Sequence, residues 1–116
     1  MSIATKRIYE PATRQDGYRV LVDRLWPRGL SKKRAQIDLW LRDVAPSASL
    51  RTWFNHDPAR WVGFRTRYYT ELRNKLELIA PLKAQAKKGC VTLVYAARDT
   101  RFNQAVALQA YLKRRT

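Results

Sequence analysis

The chain has 116 residues, 46% of them hydrophobic, and carries 24 Lys and Arg against 9 Asp and Glu, a formal charge of +15. That length suits one domain, residues 1–116, around one core, and that charge points to anionic partners: nucleic acid, anionic metabolites or acidic protein surfaces. One cysteine, Cys90, leaves no intramolecular disulfide and fits a cytoplasmic location, while no apolar run nears the ~20 residues of a membrane span and the opening Met-Ser-Ile-Ala-Thr-Lys-Arg has no signal-peptide core.

In chain order, Ile3 to Tyr9 reads as a first, weak strand, and Glu10 to Gly17, with Pro11, Asp16 and Gly17, as a loop. Tyr18 to Val22 is a second strand, apolar enough to be buried on both faces. Trp26-Pro27-Arg28-Gly29 stops it, because Pro27 lacks an N–H and Gly29 frees the backbone. Ser31 is a candidate N-cap for a helix over Lys32 to Gln36. Ile37 to Leu41 is a short apolar run and a third strand. Ser47 can cap a short helix over Ala48 to Phe54.

Asp57-Pro58 is a sharper helix start, and Trp61, Phe64, Tyr68 and Leu72 recur at helical spacing, so a helix is expected over Pro58 to Arg73. Pro81 predicts a break near Ala80, followed by a helix from Leu82 to Lys88 that ends at Gly89. Val91 to Tyr95 is the strongest strand. Arg101 to Lys113 is a last helix, with Phe102, Ala105, Val106, Gln109 and Leu112 on its expected inner face. Strands thus alternate with helices. The fold class is α/β, a small, mainly parallel sheet of about four strands covered by helices. The loop between the first two strands is too short for a helical crossover, which allows them to pair antiparallel.

Val22-Asp23-Arg24-Leu25-Trp26-Pro27-Arg28-Gly29 resembles the signature of the YeaO-like branch of domain-of-unknown-function family 488. The match runs on through Trp40, Ala45-Pro46-Ser47, Leu50-Arg51, Trp53-Phe54, Phe64, Tyr68 and Glu71-Leu72. It ends in Thr92-Leu93-Val94-Tyr95-Ala96-Ala97-Arg98-Asp99 and Asn103-Gln104-Ala105. Longer members of that family carry cysteine- and histidine-containing signatures near the last strand. Here the stretch is Tyr95-Ala96-Ala97-Arg98-Asp99-Thr100. The resemblance therefore implies no thiol or metal chemistry for this chain, and no established activity.

The residues that can carry chemistry gather around two strand ends. The first group is basic and aromatic: Arg24, Arg28, Lys32 and Lys33, with Trp26 among them. Arginine offers a planar fork to phosphate or carboxylate. Cations in a first helical turn oppose the helix dipole, a broken local rule of the kind that marks sites. Arg28, beyond the strand, is expected to be the ligand group, whereas Arg24 follows Asp23 directly and could serve the fold. The second group is Tyr95, Arg98, Asp99 and Asn103, after the last strand, where Asp99 is better placed as a cap of the final helix and Tyr95 as core, while Asn103, one turn into that helix, could face the cleft.

Trp26, Trp40 and Trp53 could offer stacking surfaces of the kind single-strand binders use. His56, the one histidine, lies in a turn and by default faces solvent; Ser47 lacks the glycines of a nucleophile elbow. There is no metal-ligand spacing, phosphate loop or dinucleotide fingerprint, so no metal and no cofactor is expected. The expected function is binding of an anionic ligand, with single-stranded nucleic acid leading, in a basic aromatic cleft at the strand ends. Two alternatives stay open: a small enzyme acting on a phosphorylated or carboxylated metabolite through His56, Asp23 or Asp99, and a module that docks an acidic protein.

Overall fold

A computed structural model describes residues 2–114. Its four strands are β1 (Ser2–Arg7), β2 (Tyr18–Leu21), β3 (Leu39–Trp40) and β4 (Cys90–Tyr95). They form one sheet in the order β1-β4-β2-β3, with every pair parallel. β4 lies inside because it is apolar on both faces. Val91, Leu93 and Val94 are fully buried, and each strand of this kind needs a neighbour on either side. It separates β1 from β2, so the antiparallel pairing allowed for those two does not occur. Both run parallel to β4, in register at Ile3–Val91 and Val20–Leu93. The strand ladder runs one residue past β2, where the Val22 N–H donates to the Val94 carbonyl at 3.1 Å.

Side chains alternate along these strands and build two unequal cores. Val20, Val22, Val91, Leu93 and Tyr95 face the larger one. It is completed by α2 (Ala48–Phe54), α3 (Trp61–Arg73), α4 (Leu76–Lys88) and α5 (Gln104–Arg114) through Phe54, Phe64, Leu82 and Leu108. Leu21 and Val94 face the smaller one, closed by Ile8, by Ala35 of the single-turn helix α1 (Lys32–Ala35) and by Trp26 and Trp40.

Three of the expected caps form. The Ser31 hydroxyl accepts from the Arg34 N–H, that of Ser47 from Leu50, and the Asp57 carboxylate from Ala59. The Pro58 segment starts as a 3-10 turn, Pro58–Arg60, before α3. Three elements depart from expectation. β3 has two residues rather than five; the Asp38 and Leu41 N–H groups extend its bonding to β2, to the Arg19 and Leu21 carbonyls, and the Asp38 carboxylate accepts the Arg19 N–H at 2.8 Å. α4 runs unbroken through Pro81, with Ile79, Leu82 and Ala86 buried on one side. Packing of that apolar face holds the helix across the one N–H that proline lacks. α5 starts at Gln104 and buries Ala105, Ala107, Leu108, Tyr111 and Leu112. Val106 and Gln109 lie at the flank of that face rather than within it. No helix among the described residues is long and apolar enough to cross a membrane.

Candidate functional site

β2 and β4 are neighbours whose outgoing chains part. After β2 the chain leads to α1 on the smaller core, and after β4 it leads to α5 on the larger. A crevice opens at the carboxyl ends of strands that diverge in this way, and α/β proteins bind ligands there. In this protein the crevice is a cavity of about 330 Å³. Asp23, Arg24 and Leu25 line it from β2, Ala96 and Ala97 from β4, and Gln104 from the first position of α5. Ala45, Pro46, Arg51 and His56, before, in and after α2, close it.

Asp23 is fixed in the wall. One carboxylate oxygen accepts the Ala96 N–H at 3.0 Å, the other accepts from the Gln104 amide, and its carbonyl accepts the Trp40 indole N–H at 2.8 Å. Burial pushes its carboxyl up to about 6, against the pull of the Ala96 and Gln104 donors and the nearby Arg51 charge. It belongs to none of the three ion pairs formed among the described residues, which are Lys6–Asp16, Arg19–Asp16 and Arg60–Asp57. Arg24, half-buried beside it, makes no hydrogen bond to the described residues, and its Nε is buried without a partner. His56 arrives on two consecutive left-handed residues, Asn55 at φ 46° and His56 at φ 54°. Backbone of that kind is costly outside glycine and gathers at working sites.

The other residues singled out from the sequence lie elsewhere. Arg28 is exposed and does not line the cavity; only its carbonyl is engaged, by the Tyr9 hydroxyl at 3.2 Å. Lys32 and Lys33 are exposed on α1, which is a single turn. Lys32 borders a separate hollow of about 200 Å³ with Trp26 and Trp40. Those two indoles meet edge-on at 5.4 Å and seal the smaller core, where the Trp26 N–H donates to the Leu30 carbonyl at 2.6 Å.

Trp53, on α2, lines a separate hollow with Arg67 and Glu71, the Arg67 guanidinium 3.9 Å from its ring centre. Tyr95 is core, and burial pushes its hydroxyl above the usual range. The Ser47 hydroxyl donates to Glu71 at 2.6 Å. Asp99, expected to cap the last helix, instead accepts from the Arg101 and Phe102 N–H groups ahead of it, and because α5 starts only at Gln104 its cap is Asn103, which accepts from Val106 at 2.9 Å. Of the named candidates, the cavity thus unites Asp23, Arg24 and His56. It adds Arg51 and Gln104, which had no chemical role in the sequence reading, although both sit in the family-like stretches. No cluster of three His, Cys, Asp or Glu that could hold a metal occurs among the described residues.

The model of the inactive DUF488-N3 subclade matches residues 2–116. The uncharacterized protein YeaO of Escherichia coli is 41% identical over 113 residues, covering 97% of this chain and 98% of that protein. The uncharacterized protein Rv3073c of Mycobacterium tuberculosis is 39% identical over 113 residues, covering 97% and 95%. No solved structure matches.

Proposed function

Since the chain belongs to the inactive DUF488-N3 subclade, we propose that it binds rather than transforms its ligand, and that Arg24 and Arg51 hold a phosphate group in the crevice between β2 and β4. Arg24 carries this reading: a half-buried guanidinium without a protein partner is a cost that a bound anion removes. Arg51 adds a second, exposed cation on the same cavity. The formal charge of +15 extends the attraction beyond the crevice and favours a polyanion, single-stranded nucleic acid, as the source of that phosphate.

The test is fluorescence anisotropy with a labelled single-stranded oligonucleotide. Log affinity should fall linearly with log salt, because counterions are released on binding. Arg24→Ala should weaken binding about tenfold or more while leaving stability nearly unchanged, since no hydrogen bond or ion pair among the described residues is lost. Salt-independent binding, or lost stability with intact affinity, defeats the proposal. A second reading, an enzyme acting on a phosphorylated metabolite, has one observation in its favour: a carboxyl raised to about 6 and an imidazole line one cavity. The description of the subclade as inactive weighs against it.

A further inference from the structure

The same cavity says more about its ligand than that it is an anion. Its wall holds Arg24 with no partner and, as the adjacent residue, Asp23 in no ion pair. Each Asp23 carboxylate oxygen receives one protein donor, from Ala96 or Gln104, so each keeps a lone pair for another. Those two contacts also fix where the carboxylate stands. A bare anion seated against Arg24 would be repelled by Asp23, and a bare cation by Arg24 and Arg51. A ligand that brings both an anionic group and neutral hydrogen-bond donors meets every polar group of the wall. Two arginines against one carboxylate favour a net negative ligand over a zwitterion. The volume, about 330 Å³, lies at the small end of ligand cavities, so one compact unit fills it.

Building on the phosphate reading above, we infer that the cavity takes a phosphate ester bearing hydroxyl or ring N–H donors, its phosphate held by Arg24 and Arg51 and its donors by Asp23. The chemistry is shared by a free sugar phosphate and by a nucleotide unit. Asp23 is then a specificity residue. It rewards the ester by accepting protons from hydroxyl or ring N–H groups that stand apart from the phosphate, whereas inorganic phosphate can offer it only its own P–OH.

The experiment is calorimetric titration of the full chain at low salt with inorganic phosphate, ribose 5-phosphate, adenosine 5′-monophosphate and L-alanine. An ester should bind about tenfold tighter than inorganic phosphate. Ribose 5-phosphate matching the nucleotide assigns a sugar phosphate; a tighter nucleotide assigns a nucleotide unit. Asp23→Asn should weaken the ester several-fold and leave inorganic phosphate equal or tighter, closing the gap between them. Gln104→Ala, which frees the carboxylate from one of its two anchors, should narrow the gap in part.

Inorganic phosphate binding as tightly as every ester, and lost in Arg24→Ala, would overturn this inference and leave the phosphate reading standing. So would Asp23→Asn tightening all phosphate compounds equally. Preference for L-alanine would replace it with a zwitterion site. Binding of neither phosphate compounds nor the oligonucleotide would overturn both readings. The ranking of ligands on the unmodified chain decides the matter even where a variant fails to fold.

Discussion

Replacing Asp23 by asparagine should stabilise the fold at neutral pH and do nothing for it in acid. The carboxyl titrates near 3.8 in an unfolded chain and at about 6 in the folded one. A tenfold change in proton affinity is worth about 1.4 kcal/mol, so the ionised carboxylate costs the fold at most about 3 kcal/mol. The sign follows from which state holds the proton more tightly. Here the fold does, so wild-type stability loses this contribution as pH rises from 3.8 to about 6, and the loss is complete above that.

Asparagine keeps an oxygen for the Ala96 N–H, and the Gln104 amide can turn to accept from the new NH2 group. Some of the gain is returned, because hydrogen bonds to a charged oxygen are stronger than those to a neutral one. A net gain of about 1–2 kcal/mol at pH 8, shrinking to about zero or below at pH 4, is therefore expected. The assay is urea unfolding of both proteins at pH 4, 5, 6, 7 and 8. The difference between the curves cancels the other carboxylates and His56, which both proteins share. A difference that is flat with pH, or that grows toward acid, would show that Asp23 is not held above its ordinary range and would remove the electrostatic argument for the site.

Leu93, fully buried in β4 and facing the larger core, should cost about 2–5 kcal/mol as Leu93→Ala, read from the unfolding midpoint; a change within error would contradict its central place. Gly17 turns the chain into β2 at φ 65°, and a Cβ there would strike the Cys90 carbonyl. Gly17→Ala should therefore lose at least about 1–3 kcal/mol from backbone strain alone, and wild-type stability would refute the turn geometry.

What the sequence made legible was what is local. Ser31, Ser47 and Asp57 announce their helix starts because a cap needs only the next three residues. Val91 to Tyr95 announces an interior strand because every residue in it must be buried. Strand order is not local. β1 and β2 are neighbours in sequence but flank β4, and nothing in the short loop between them encodes a partner some seventy residues away.

The site divides along the same line. Asp23 and Arg24 could be named because the strand end before them can be read. Arg51 and Gln104 could not, because their tie to Asp23 spans 28 and 81 positions and exists only once α2 and α5 have packed. The sequence ranks Arg28 above Arg24, and geometry of the same kind puts Arg24, not Arg28, in the cavity wall. A residue three past the end of β2 still stands at the sheet edge, between the diverging chains. Four more residues and a buried Pro27 place the next arginine on open surface. Composition gives the two arginines equal claims; the divergence of the chains after β2 and β4 gives the cavity to Arg24. Its neighbour Asp23 ties the two strand ends together, its carboxylate accepting from Ala96 after β4 and from Gln104 at the start of α5.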